Sequence, residues 1–209
     1  MESAHKAGNG CNAIPQTRSG TGSARRHLLQ AGAIAMAGLR PGNARAGSSD
    51  QDRMLRPRAG DLLVHAGDGR PCVAIEAAEI LSGDAPVIAW AMDPETKLVR
   101  DGSRLNQIVL LRLDPATLEP DTRARSAGGL VAYSAICTHA QCTVSGWIQD
   151  RQVLHCPCHQ SEYDPRNGAG VVAGPAPRPL AALPLKIAGG RPEVAEGFIG
   201  KVGMSQQNM

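Results

Sequence analysis

Aromatic side chains are nearly absent, with two Trp, two Tyr and one Phe in 209 residues. The core must therefore be aliphatic. Long apolar runs are missing too. The run Leu28–Leu39 is interrupted by Gln30 and glycines, and it falls short of the roughly 20 residues a membrane-spanning helix needs. No stable membrane span is expected. A strong charge of one sign is also lacking. Residues 1–46 hold six Lys and Arg against one acid, which leaves sixteen basic and eighteen acidic residues from Gly47 onward. The body of the protein is slightly acidic, so nucleic acid is not an expected partner. Finally, no histidine follows His159. A mononuclear iron site of two histidines and one carboxylate therefore has no place in the last fifty or so residues.

The basic excess sits in a segment that resembles a twin-arginine export signal. Arg25 and Arg26 are followed by the apolar run, and Ala44-Arg-Ala46 puts small residues at the two positions a signal peptidase reads. Residues 1–46 are expected to be this signal, cleaved near Ala46, with a periplasmic destination; an uncleaved anchor or a surface helix is the alternative. Residues 47–60 then read as a polar linker. Beyond it come short apolar runs at Leu62–His65, Cys72–Ala77, Val87–Met92, Ile108–Leu113, Gly129–Ala135, Val153–His155, Val171–Ala173 and Leu183–Ile187. Each is flanked by Gly, Pro, Asp or Ser, the pattern of an all-β domain with antiparallel strands. Only Glu76–Leu81 and Pro115–Leu118 are expected to form helical turns. The stretch "MDPETKLVRDGSR" reads as a solvated hairpin.

Chemistry concentrates in two short segments, Cys137-Thr-His-Ala-Gln-Cys142 and Cys156-Pro-Cys-His-Gln-Ser-Glu-Tyr163. Cys137 with His139, and Cys156 with His159, give two Cys–His pairs on separate loops. A structural zinc site of two thiolates and two imidazoles is one reading. Two further cysteines, Cys142 and Cys158, stand beside the pairs and can bond to each other in an exported protein. The hydroxyls of Ser161 and Tyr163 follow at a spacing suited to hydrogen bonds to sulfur. A [2Fe–2S] centre, with two thiolates on one iron and two imidazoles on the other, uses all of these residues.

The two segments resemble the paired boxes of the Rieske iron–sulfur protein family, of the disulfide-containing type, and Gly174-Pro175-Ala-Pro177 resembles that family's proline loop. The resemblance covers roughly residues 129–187. It implies an antiparallel β-sandwich over residues 61–205 with a loop-rich cluster-binding subdomain at about 133–178, and one [2Fe–2S] cluster as cofactor. By resemblance, Cys137 and Cys156 bind the inner iron, His139 and His159 the outer one, and Cys142 and Cys158 form a disulfide. Ser161 donates to a bridging sulfide and Tyr163 to the sulfur of Cys137, and the proline loop covers the cluster. Such donors favour the reduced state, so a potential in the upper part of the roughly −150 to +300 mV Rieske range is expected.

The implied function is one-electron transfer between a catalytic or quinol-oxidising partner and a c-type cytochrome or similar acceptor. "LVAYSAICTH" and "PCVAI" are similar to the exported small subunit of arsenite oxidase-type enzymes; a quinol–cytochrome c reductase subunit is the neighbouring reading, and an oxygenase ferredoxin a third. Quinol-oxidising relatives carry Leu-Gly where this chain has Ala140-Gln141, and Gly where it has Gln160. Different backbone contacts at the cluster tip are expected from those glutamines. Cys72 is expected to be a buried free thiol, His155 an exposed strand-end residue, and Trp90 and Trp147 packing residues.

Overall fold

The computed structural model describes residues 49–67 and 73–204. The expected export signal and Cys72 lie outside the described residues. Among the described residues, ten strands make two antiparallel sheets. The larger has the order β4-β3-β2-β1-β10-β9, from β1 (Leu62–His65), β2 (Val87–Met92), β3 (Ile108–Arg112), β4 (Leu130–Ser134), β9 (Leu185–Ala188) and β10 (Arg191–Val194). The smaller is the meander β5 (Gly146–Ile148), β6 (Val153–Cys156), β7 (Ser161–Asp164) and β8 (Gly170–Ala173).

Alternation along β3 and β4 explains how the sheets meet. Val109, Leu111, Val131 and Tyr133 point to one side and pack with Leu154, Cys156 and Tyr163 of the small sheet. Ile108, Leu110, Leu130 and Ala132 point to the other side and join Leu63, Ala89, Ala91 and Val194. Both faces of these strands are buried, so their sequences are almost wholly apolar. The large sheet curls until β4 meets the segment before β9: Ser134 N–H donates to Ala181 O and Leu183 N–H to Ala132 O. The all-β expectation therefore holds, with a curled sheet forming one layer of the sandwich.

Several local expectations need correction. The run Cys72–Ala77 gives only an isolated bridge between Ala74 and Val64. Strands β5, β7 and β10 are not apparent in the sequence because GWI, SEYD and RPEV are not apolar runs, the signal that marks the equally short β1, β6, β8 and β9; β10 also contains Pro192. Helical turns occur at Ala77–Glu79 and Pro115–Thr117 as expected, but also at Arg104–Asn106. Two short helices were missed, α1 (Ser49–Met54) and α2 (Pro120–Ala124). The first lies in the expected linker and is polar apart from its exposed last residue, Met54. It is held by its first-turn acids and by Arg53, which donates to Asp101 at 2.7 Å.

The hairpin reading is right for Asp93–Leu98, but not its solvation throughout. Arg100 is 1 % exposed and clamps Asp61, equally buried, through Nε at 2.6 Å and Nη2 at 3.0 Å. Two-pronged pairing is what allows so large a charge to be buried.

Candidate metal centre

The small sheet and the end of β4 carry the site. Loop 1 follows β4, and loop 2 is the turn between β6 and β7. They share one backbone design. In loop 1 the N–H of Gln141 donates to Cys137 O at 3.0 Å, and in loop 2 the N–H of Gln160 donates to Cys156 O at 3.0 Å. Closing such a turn needs a left-handed residue, and Gln141 (φ 58) and Gln160 (φ 61) supply it. That conformation costs a non-glycine residue about 1–2 kcal/mol. In both loops the left-handed turn that glycine would favour forms with glutamine. Side-chain anchoring offsets the strain in loop 2, where Gln160 Oε1 lies 2.7 Å from His155 Nε2 and its Nε2 donates to Pro157 O. His155, at the end of β6, is thus a support for loop 2.

These turns bring together every residue singled out in the two segments. Cys142 and Cys158 are joined by a disulfide, with Cα atoms 6.5 Å apart and sixteen residues of separation. Closing a loop of that length contributes about 3 kcal/mol in the chain-entropy model. Cys137 and Cys156 remain free thiols, each 1 % exposed. The sulfurs of Cys142, Cys156 and Cys158 lie within 4.8 Å of one another, but two of the three are bonded together and unavailable as ligands. His139 is half-buried, His159 is exposed, and their ring centroids stand 4.7 Å apart, nearly perpendicular.

The electrostatics favour one thiolate first. Burial pushes the Cys137 thiol up, but the hydroxyl of Tyr163 at 3.2 Å and the backbone at His139 and Ala140 outweigh it and hold it below the ordinary value. Burial, followed by the neighbouring Cys137, pushes Cys156 up. Tyr163 is itself pushed well above the usual phenol range, first by burial and then by Cys137, so it stays a donor. Its oxygen also accepts from Thr138 N–H at 3.3 Å.

The third wall is the proline loop. A Cβ on Gly174 (φ +83) would lie 2.5 Å from Ser161 Cα and 2.6 Å from Gln160 O. Only glycine permits so close an approach. Pro175 and Pro177 are exposed beside it, and Ala176 packs on the shared core. Thr138, flanked by two expected ligands, donates from Oγ1 to Arg178 O at 2.7 Å. Arg104 donates to Gln141 O at 3.0 Å. These two supports had no sequence signal, because neither residue type nor spacing points to them.

The donors fit a [2Fe–2S] group with mixed ligation. Two buried thiols come from two loops, two imidazoles face each other, and two buried polar atoms are orphans: His139 Nδ1 and Ser161 Oγ. An unsatisfied buried polar group costs about 1–3 kcal/mol, and these orphans lie where a bound group would give them partners. Cys137, Cys156, His139 and His159 are the residues that could hold it. A group held so, its sulfur side buried and one imidazole at the surface, can exchange electrons with a docked protein.

Fold and site together define an iron–sulfur electron carrier. A family model, the Rieske [2Fe-2S] domain, matches residues 89–184. The cytochrome bc1 complex Rieske iron-sulfur subunit of Streptomyces lividans is 33% identical over 134 residues, covering 61% of this chain and 75% of that protein. The chain belongs to the Rieske [2Fe–2S] protein family, and its cofactor is a [2Fe–2S] cluster. The Streptomyces coelicolor bc1 Rieske subunit is also 33% identical over 134 residues (61% of this chain), but only 36% of its length is spanned. A Haloferax mediterranei protein, named as a candidate respiratory nitrate reductase Rieske subunit, is 45% identical over 76 residues, covering 36% of this chain and 34% of its own. Among solved structures, the soluble domain of Rieske protein II from Sulfolobus acidocaldarius matches at TM-score 0.36 and 23% identity, covering 46% of this chain and 65% of that one. Among the described residues, no helix is long and apolar enough to cross a membrane.

Proposed function

We propose that this chain is a periplasmic one-electron subunit, passing electrons between a catalytic or quinol-oxidising partner and a c-type cytochrome or similar acceptor. Cys137 and Cys156 hold the inner iron, and His139 and His159 the outer one. Ser161 donates to a bridging sulfide and Tyr163 to the sulfur of Cys137. The observation that carries the reading is the polarity of the site, with both free thiols buried and His159 exposed at the tip. The tip segments 138–142, 157–160 and 172–177 contain no Asp, Glu, Lys or Arg. Such a rim suits a partner that docks by apolar contact around the exposed imidazole.

Export by the twin-arginine route, with cleavage near Ala46, fits a protein whose metal group is inserted before transport. The similarity of "LVAYSAICTH" to arsenite oxidase-type small subunits favours a large catalytic partner. A quinol–cytochrome c reductase subunit is the second reading, favoured by the names of the Streptomyces relatives.

The ligand set is tested by iron content and by the rhombic signal of the reduced protein in electron paramagnetic resonance. His139→Ala and His159→Ala abolish both, whereas His155→Ala keeps them; an intact signal in His159→Ala rejects the assignment. Mixing the reduced protein with an oxidised c-type cytochrome gives cytochrome reduction on the electron-carrier reading, and no electron passing rejects that acceptor class. Changing Arg25 and Arg26 to lysine strands the protein in the cytoplasm. Undiminished appearance in the periplasm refutes the export route.

A further inference from the structure

Beyond β10 the chain returns to the cluster-binding end. Ile199 and Ala182 exchange backbone hydrogen bonds at 2.8 and 3.0 Å, which anchors the chain beside β4. The segment Lys201–Gly203 then lies against loop 1. Arg178, immediately after the proline loop, donates from Nη2 to the carbonyl of Gly203 and, at 3.4 Å, to that of Lys201. Gly203 is buried at φ 66, and a Cβ there would stand 3.3 Å from Gln141 Cγ and 3.4 Å from Ile136 Cγ2. Gln141 is the left-handed residue whose N–H closes loop 1 onto Cys137. Arg178 also offers its carbonyl to Thr138. The contacts form a ring running from Thr138 to Arg178, on to Gly203, and back to Gln141, with His139 between its two ends.

We propose that Lys201–Gly203 is a fourth wall of the centre, a clasp through which Arg178 acts as a positioning residue for loop 1. The inference rests on the reading that Cys137 and His139 are ligands. Loop 1 is closed by two backbone bonds, Cys137 N–H to Cys142 O and Gln141 N–H to Cys137 O, and Gln141 is held in a conformation it does not favour. Contact with Gly203 on one side and Arg104 on the other keeps that residue from relaxing. Without the clasp, loop 1 opens at its Gln141 end, and His139 and Cys137 lose their fixed placement.

The test uses the protein with its cluster, a variant ending at Gly200, Arg178→Gln, and the two combined. Bleaching of the visible absorption by an iron chelator reports cluster loss, and far-UV circular dichroism reports the β domain. Each single change speeds cluster loss about tenfold, the equivalent of one charge-assisted hydrogen bond, with the dichroism unchanged. The combination is no faster than the truncation, because Arg178 acts through the tail it has lost. Gly203→Ala, which pushes on Gln141, shifts the rhombic signal while iron content holds. The clasp is overturned if the truncated protein keeps its cluster as long as the parent, or if the two effects multiply. A parent protein lacking the rhombic signal overturns the ligand reading, and the clasp with it.

Discussion

Removing the hydroxyl of Tyr163 separates the electronic role of that group from its structural one. The oxygen sits in a buried position, 3.2 Å from Cys137 Sγ and 3.3 Å from Thr138 N. In Tyr163→Phe, the Thr138 N–H loses its acceptor inside the core, a cost of about 1–3 kcal/mol. For a domain of this size each kcal/mol lowers the melting temperature by about 2–4 °C. The electronic effect has its own sign. A donor on sulfur withdraws electron density and stabilises the reduced state, so its loss lowers the potential. If about 1 kcal/mol of the bond differs between the two redox states, the potential falls by roughly 40 mV, from the 59 mV that one tenfold change represents for one electron. Protein-film voltammetry measures this shift and scanning calorimetry measures the melt. A variant that keeps its cluster, melts lower and shows an unchanged or raised potential would refute the assignment of the hydroxyl as a donor to sulfur.

Gly174→Ala places a methyl group against the backbone of loop 2, and strain plus overpacking cost about 2–6 kcal/mol. Iron per protein and the melting temperature both fall, and a variant retaining full iron would show that the proline loop is free to move. Asp61→Asn leaves the buried Arg100 with Asp93, 3.9 Å away, in place of its two-pronged partner, and costs about 3 kcal/mol by urea unfolding. The pair Asp61→Leu with Arg100→Met loses less than that single change. Asp93 carries a carboxyl held below its ordinary 3.8, first by the Thr96 N–H, against burial, and further by the Glu95 N–H and Arg58. Its stabilisation is therefore complete above that value and disappears as pH falls through the lower folded-state value. Asp93→Ala should cost about 1 kcal/mol at neutral pH, scaled down for its partial exposure, and nothing in strong acid, as unfolding curves at the two pH values would register.

The candidate ligands were legible because metal chemistry restricts residue type and spacing together. Cys137, His139, Cys156 and His159 declare themselves in a chain with only six cysteines and six histidines. Tyr163 could be read for the same reason, since its hydroxyl has one useful target. The supports could not be read. Gln141 and Gln160 do the backbone work of glycine, and nothing in a glutamine announces a positive φ. Gly203 reaches loop 1 from sixty-two residues away, a distance only the tertiary path reveals. Long strands such as β2 and β3 were found from their apolar runs, whereas β7 was not. Its four residues alternate Ser161 and Tyr163 inward with Glu162 and Asp164 outward, a pattern too short to separate from a turn.

The closeness of Cys156 to the disulfide bears on the order in which the molecule is assembled. Its sulfur lies within 4.8 Å of both bonded sulfurs, near enough for exchange to trade one pairing for another after modest motion. Burial keeps that thiol largely protonated, which slows attack but does not forbid it. A chain oxidised while Cys156 is still a free thiol is exposed to scrambling, with a thiol of the wrong cysteine left over. Iron held by Cys156 would take that thiol out of the competition, whereas oxidation beforehand leaves it open to exchange. The spacing of three sulfurs thus makes the history of each molecule part of its structure.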